Sequence, residues 1–403
     1  MTTVAEQVRD IEAEHILQTY KRFPPVFVRG QGSYIFDTEG KEYLDMLSGL
    51  GVVSLGHAHL GLAQAISTQT KELVHTSNLF FHLLQGQVAT RLAKLSKLPR
   101  AFLCNSGTEA IEACLKFSRR YWHTNGKPTR KGIVAFQRSF HGRTFGSLSV
   151  TSGTPFREPF EPLLPDVTFV SPEDPTELER AISTNTAALI IEPIQGEGGV
   201  WPISQTMADT IQSICTNTGT LLIADEIQCG LGRTGHPFYY SELGLQPDLI
   251  AIGKALGAGF PVGAALISEP VAKTIAFGDH GSTYGGNLIA CRAALVFLDE
   301  LENGLISRVA EAGSRLQAGL HSLAKTYSVI NDIRGAGLIW GMDVEPNIAE
   351  QIVPAALNHG LIINLTAKHV IRFLPPLTIT NADLDEGLAR LNSVFEDVKT
   401  QTK

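Results

Sequence analysis

Lys254 closes an apolar run, Leu249-Ile-Ala-Ile-Gly253, and opens a glycine-rich loop that reaches Gly263. A lysine in partly apolar surroundings has a lowered pKa and becomes a usable amine nucleophile, and glycines beside it let a ligand approach the backbone. A second reactive group ends the run Leu221-Leu-Ile-Ala, where Asp225 and Glu226 follow directly. A carboxylate at the end of a buried strand is costly unless a cation or a hydrogen-bond donor meets it. A protonated ring nitrogen would serve, and so would a structural salt bridge or a metal ion. The third place is Asn105-Ser106-Gly107-Thr108-Glu109, which follows the run Ala101 to Cys104 and leads into an amphipathic stretch. The free N–H groups and the dipole of such a helix start form a cradle for phosphate. The same wording also caps ordinary helices.

Other motifs compete for attention and fit their chemistry less well. Gly230-Leu-Gly232-Arg-Thr-Gly235 matches the dinucleotide pattern, but it leads into His236-Pro237 rather than an apolar helix, and Asp248 precedes a strand instead of ending one. Gly253-Lys254 is no phosphate loop, because Asp248 stands where the upstream glycine is needed and Ala255 follows the lysine. His57 and His59 have metal-like spacing without a further ligand cluster, so no metal site is expected. Cys104, Cys114, Cys215, Cys229 and Cys291 are odd in number and form no C-x-x-C pair, which argues against a disulfide framework and fits a reducing compartment.

These groups need strands to carry them. From about residue 60 to 290, apolar strand-like runs (AFLCN, KGIVAF, AALIIEP, LLIADE, LIAIG, AALIS) alternate with helix-like stretches such as Glu109 to Trp122. The pattern predicts an α/β fold with a mostly parallel central sheet covered by helices, whose ligands collect at the carboxyl ends of the strands. Helical segments Cys291 to Glu302 and Ser307 to Lys325, the strands LIWGMDV, LIINLT and VIRFLPPL and a last helix from about Asn381 predict a smaller α+β domain. A hairpin around Glu39-Gly40 is expected near the start. The expected division is an N-terminal segment 1–55 packing with the small domain, a large domain 56–294 and a small domain 295–403. With 43% apolar and 18% charged residues the chain reads as a water-soluble globular protein. A net charge of -7 without a Lys/Arg block makes nucleic acid and anionic membranes poor partners. The N-terminus lacks an apolar signal region and is too acidic for a transit peptide, so a cytoplasmic location is expected.

Taken in order, Asn105 to Ala110, Phe140-His-Gly-Arg-Thr144, Ile191-Glu-Pro-Ile-Gln-Gly-Glu-Gly-Gly-Val200, Asp225-Glu-Ile-Gln228, Gly253-Lys254, Ser282-Thr-Tyr-Gly-Gly-Asn287 and Val370 to Pro376 resemble the class-III aminotransferases. This resemblance runs nearly end to end and implies the fold of fold-type-I pyridoxal-phosphate enzymes. It implies Lys254 as the lysine that binds the cofactor covalently and Asp225 as the partner of its ring nitrogen. Ser106, Gly107 and Thr108 would bind the phosphate, joined by Thr283 from the other subunit of a homodimer; Phe140 would stack on the ring and Gln228 would contact its 3'-oxygen. Arg143 and Ser282 would hold a substrate carboxylate, and Glu197 would pair with Arg372 when a donor with one carboxylate is bound. Thr108, Ile111 and Cys229 depart from the family's common wording without removing a catalytic group. Within the family the wording is most similar to the acetylornithine branch, which implies transamination between N2-acetyl-L-ornithine and 2-oxoglutarate. Leu50, where the ornithine branch carries a tyrosine, suits an acylated substrate; succinylornithine, succinyl-diaminopimelate, ornithine and 4-aminobutyrate are the alternatives.

Overall fold

Hydrophobic runs that end in polar residues become neighbouring strands of one large sheet. A computed structural model of the chain describes residues 2–401. The chain begins with β1 (Phe27–Gln31), β2 (Tyr34–Asp37) and β3 (Glu42–Asp45), an antiparallel meander whose second turn contains Glu39 and Gly40 as expected. Then come β4 (Arg100–Cys104), β5 (Gly132–Phe136), β6 (Val167–Val170) and β7 (Thr186–Ile191), a short ribbon of β8 (Ile194–Gln195) and β9 (Trp201–Pro202), and β10 (Leu221–Asp225), β11 (Leu249–Ile252) and β12 (Gly263–Ile267). Seven of these form the large sheet in the order β4-β12-β11-β10-β7-β5-β6. Neighbours from β11 to β6 pair in parallel, and β12 alone runs against both of its neighbours.

The central strands are buried on both faces, which is why their sequences are unbroken apolar runs rather than alternating ones. Leu189, Ile191, Leu222, Ala224, Ile250 and Ile252 join the core on one face, and Ala188, Ile190, Leu221, Ile223, Leu249 and Ala251 join a second core on the other. Helix Gly107–Thr124 covers the second face with Ala110, Ile111, Cys114, Phe117 and Ser118, residues spaced to share one side of a helix. The edge strand β6 is absent from the sequence-based expectation: VTFV is short and shows neither a long apolar run nor strict alternation of burial.

The small sheet contains β13 (Ile330–Ala336), β14 (Ile339–Val344), β16 (Asn364–Thr366) and β17 (Val370–Phe373), antiparallel throughout in the order β13-β14-β17-β16. The expected single strand LIINLT is divided. Its first part, β15 (Leu361–Ile362), pairs in parallel with β3 in the N-terminal sheet, and after the buried Ile363 the chain enters the small sheet as β16. Residue 294 falls inside helix Leu288–Glu300, and the helical path bends only at Asn303-Gly304 before helix Ile306–Thr326. The last helix, Asn381–Gln401, starts where the sequence places it. Among the described residues no helix is long and apolar enough to cross a membrane.

Candidate active site

The carboxyl ends of β4, β5, β7, β10 and β11 meet around one cavity of about 280 Å³. Gly107 and Thr108 follow β4, Phe140, His141, Gly142 and Arg143 follow β5, Glu192 follows β7, Asp225 ends β10, and Lys254 comes two residues after β11. Parallel strands that end together bring residues more than a hundred positions apart within reach of one ligand.

Lys254 is half-buried and has a φ of 38°, a left-handed conformation that is strained for a side chain of this kind. Burial lowers its pKa; Arg372 acts in the same direction, while Glu197, Asp225 and Glu192 oppose it. The result is an amine more easily deprotonated than a surface lysine. Asp225 is almost fully buried, and its Oδ2 accepts a hydrogen bond from His141 Nδ1 at 2.7 Å while Oδ1 accepts the Ile227 N–H at 3.1 Å. The histidine therefore fixes one carboxylate oxygen and supports a negative charge facing the cavity.

Helix Gly107–Thr124 opens toward the cavity with the N–H groups of its first turn. In the Asn105–Glu109 segment the structure shows the helix cap. The Ser106 hydroxyl caps the helix by accepting the Glu109 N–H and donating to the Glu109 carboxylate, so Ser106 does not line the cavity, whereas Gly107 and Thr108 do. Thr108 Oγ1 also meets Ser147 Oγ at 2.6 Å and Thr144 Oγ1 at 3.0 Å, which ties the helix start to the Arg143 loop. Gly142 makes that approach possible: its φ is 135°, and a Cβ there would stand 2.3 Å from Thr108 Oγ1. The Arg143 guanidinium lies 5.3 Å from the centre of the Phe140 ring and 4.1 Å from that of Phe156, a cationic end held at the cavity by two aromatic faces.

On the far side Arg372 Nη1 donates to Glu197 Oε1 at 2.5 Å and to Gln228 Oε1 at 3.2 Å, and its Nε donates to Asn364 at 3.3 Å. Arg372 is 1% exposed and does not itself line the cavity; Glu197 and Gln228, which cover it, do. Burial alone would raise the Glu197 carboxyl, but Arg372 and Lys254, with a hydrogen bond from Gln228, hold it below the ordinary carboxylate range. Ser282 and Thr283 are not among the residues that line this cavity. Ser282 Oγ instead accepts from Asn105 Nδ2 at 3.1 Å, and Thr283 is exposed. Leu50 also lies outside the lining, exposed in a left-handed turn with Gly49.

Two residues that line the cavity were not singled out from the sequence, although both lie in motifs that were. His141 is the support of Asp225, and its Nε2 has no partner among the described residues. Glu192 accepts the Phe140 N–H at 3.3 Å through Oε1, while Oε2 is buried without a partner among the described residues. Burial, reinforced by Asp225, pushes the Glu192 carboxyl well above the usual range. A buried acid before Pro193 in the β7 run was the available signal.

The second acid of the Asp225-Glu226 pair points elsewhere. Glu226 accepts the Tyr240 N–H at 2.7 Å and the Cys229 thiol at 3.2 Å, and burial pushes its carboxyl from 4.5 up to about 7. Because the folded pKa lies above the unfolded one, the stability this group contributes is full below about pH 4.5 and is lost as pH rises through about 7. Glu226→Gln is therefore expected to gain stability relative to the parent between pH 5 and pH 8, by at most roughly 3 kcal/mol. Urea titrations of both proteins at the two pH values check this, and a constant difference would rule it out.

The remaining motifs are structural. Gly230 to Gly235 form turns with no α-helix directly after them, and Arg233, 1% exposed, donates through Nη1 to the Leu338 and Pro375 carbonyls at 3.2 and 2.5 Å. That segment fastens the large sheet's loops to the small sheet. His57 bonds Asp45 at 2.8 Å and His59 caps helix Leu60–Glu72. All five cysteines are buried free thiols.

The cavity suits pyridoxal phosphate on its own chemistry: a helix start for the phosphate, an aromatic face, a supported carboxylate for a ring nitrogen, and an amine of lowered pKa. The comparisons agree. The family model for class-III aminotransferases matches residues 17–395. Acetylornithine aminotransferase of Methanocaldococcus jannaschii is 40% identical over 97% of this chain and 98% of its own, and that of Aquifex aeolicus is 42% identical over 94% and 100%. An ornithine aminotransferase from Toxoplasma gondii, with pyridoxal phosphate at partial occupancy in its active site, superimposes with a TM-score of 0.95 at 30% identity, covering 98% of this chain and 95% of that one. A chain with this cavity at its strand ends and such a match along almost its whole length belongs to the class-III aminotransferases, which are pyridoxal-phosphate-dependent enzymes.

Proposed function

We propose that the enzyme transfers the δ-amine of N2-acetyl-L-ornithine to 2-oxoglutarate, giving N-acetyl-L-glutamate 5-semialdehyde and L-glutamate, a step of arginine biosynthesis in the cytoplasm. The observation that carries this reading is the masked arginine. A cavity with Arg143 at one end and a Glu197-covered Arg372 at the other can accept a donor with one carboxylate while the mask is closed, and glutamate with two when it opens. The names of the two relatives support the acylated diamine as the first donor.

Pyridoxal phosphate supplies an electron sink for the pair left when the carbon bearing the amine loses its proton. The first turn of helix Gly107–Thr124 would hold its phosphate, Phe140 its ring face, Gln228 its 3'-oxygen and Asp225 its ring nitrogen. Lys254 Nζ would take the proton from the amine-bearing carbon of the donor and deliver it to the cofactor carbon that keeps the nitrogen, a task suited to an amine whose pKa burial has lowered. Asp225, held by His141, would keep the ring nitrogen protonated. Arg143 orients the donor's carboxylate, and Glu197 either occupies Arg372 or leaves it to the α-carboxylate of glutamate.

A panel of N-acetylornithine, N-succinylornithine, succinyl-diaminopimelate, ornithine and 4-aminobutyrate with 2-oxoglutarate tests the substrate. N-acetylornithine should give the highest kcat/KM, and a clear preference for another donor overturns the choice. Glu197→Ala, which leaves Arg372 uncovered, should shift selectivity toward glutamate by at least about tenfold, and Arg372→Ala should shift it the other way. Equal losses in both half-reactions for both variants would leave Glu197 an ordinary structural acid.

The proposed assembly is a homodimer with shared sites. Leu79, Phe80, Phe81, Leu83, Phe277 and Tyr284 are all exposed, and Asn78 Nδ2 joins the two segments by bonding the Ser282 and Gly285 carbonyls at 3.0 Å. So much exposed apolar surface calls for a partner, and it adjoins Ser282 and Thr283, which this chain does not turn into its own cavity. Mixing Lys254→Ala and Thr283→Ala proteins should restore activity in some hybrid dimers, since one of the two sites is then intact; no recovery counts against a shared site.

A further inference from the structure

The turn that carries Glu197 leaves the large sheet after β7, yet it is fastened to the small sheet. Thr366 Oγ1, at the end of β16, donates to the Glu197 carbonyl at 2.6 Å. Arg334 Nε, on β13, donates to the Gly199 carbonyl at 2.8 Å, and its guanidinium lies 3.6 Å from the centre of the Trp201 ring at the start of β9. Arg334 is only 8% exposed, and its charge is answered by Asp332 at 2.8 Å and Asp343 at 3.4 Å. The turn also packs closely against β14. A Cβ on Gly341 would stand 2.9 Å from Val200 Cβ and 3.2 Å from the Gly199 carbonyl, and Gly341 is the residue that pairs with Arg372 across β14 and β17. One small sheet therefore holds the backbone of both members of the Glu197–Arg372 pair. Arg334, Thr366 and Trp201 do not line the cavity.

An ion pair whose two backbones are held by the same sheet can be broken only through side-chain torsions. Glu197 is the member free to turn, because its side chain is partly exposed while that of Arg372 is buried and also held by Asn364. We propose that Arg334 and Thr366 are positioning residues: they clamp the Glu197 turn onto the sheet that bears Arg372, so that the mask opens by rotation of the Glu197 side chain alone, and selectivity between a one-carboxylate donor and glutamate depends on the clamp. This rests on the reading of the cavity as one that alternates between those two donors. With the clamp loosened, the Glu197 backbone samples positions from which its carboxylate no longer meets Arg372. The closed state is then lost while the open state, which glutamate uses, is retained.

Three variants of the full-length holoenzyme test the clamp. Thr366→Val removes the hydroxyl at nearly constant volume, Arg334→Met keeps an unbranched stem without donors, and Arg334→Lys keeps the charge and a donor. Hydrogen exchange of residues 196–201, followed by mass spectrometry, reports the clamp without reference to turnover, and single-turnover kinetics with each donor report selectivity. Thr366→Val and Arg334→Met should exchange this segment at least about tenfold faster and raise the half-saturating N-acetylornithine concentration about tenfold. Rate and half-saturation with glutamate should stay within about twofold, and Arg334→Lys should recover part of both losses. Unchanged exchange in 196–201, or equal losses for both donors, overturns the clamp. If Arg334→Met does not fold, Thr366→Val decides. If the parent does not use N-acetylornithine, the substrate reading fails on its own, and the clamp is judged by exchange and by the selectivity measured with 4-aminobutyrate instead.

Discussion

Lys254→Ala should leave a folded protein whose turnover is lower by roughly four orders of magnitude or more, because one side chain supplies both the amine nucleophile and the group that moves the proton. The fold can bear the loss. The side chain faces a cavity rather than packed core, alanine can adopt the left-handed φ of 38° about as well as lysine can, and Glu197 keeps Arg372 as its partner when the ammonium is gone. The melting temperature should therefore move little, with a stability change on the order of 1 kcal/mol or less. Transamination assays beside a thermal melt check both halves of the expectation. Activity within about a hundredfold of the parent would remove Lys254 from the chemistry, whatever the melt shows.

Asp225→Asn is expected to retain the fold and the cofactor and to lose about a thousandfold in kcat. The neutral amide keeps the size of the carboxylate and can still accept the His141 Nδ1–H through its oxygen, so the geometry at the end of β10 survives. What disappears is the negative charge that favours a protonated ring nitrogen, and with it the differential stabilisation of the charge that develops in the reaction. Both half-reactions should fall together, since both pass through the same ring nitrogen; this separates the effect from the selectivity changes expected at Glu197 and Arg372. A variant within about tenfold of the parent would mean that another group controls that nitrogen.

The large sheet was legible because its central strands are buried on both faces and must be written as apolar runs, as are β7 after Thr186, β10 before Asp225, and all of β11 and β12. Lys254 and Asp225 stand out for the same reason: each closes or directly follows such a run, at the strand end where ligands gather in folds of this class. Edge strands carry less of this signal. β6 is short, and β13 places exposed polar residues in the middle of its span, so neither stands out from a loop.

What the tertiary structure decided are relations among groups that no local pattern contains. Asp225 and Glu226 are adjacent in sequence, and only their surroundings separate them: one meets His141 at the cavity, the other the Tyr240 N–H and the Cys229 thiol in the core. Ile363 switches the chain between two sheets within what reads as one strand, a choice made by which partner strand is near. The Ser106 hydroxyl is taken up by its own helix cap, because the Glu109 carboxylate and N–H three residues on lie 3.0 and 3.3 Å away. Arg334 and Thr366 lie in segments with no motif, and their hold on the Glu197 turn arises from contacts across 135 and 169 positions of chain. Residue type and spacing determined the chemistry available at the strand ends. Long-range packing determined which of those groups face the cavity and how firmly each is held, because burial and partner distance depend on all the elements that meet there.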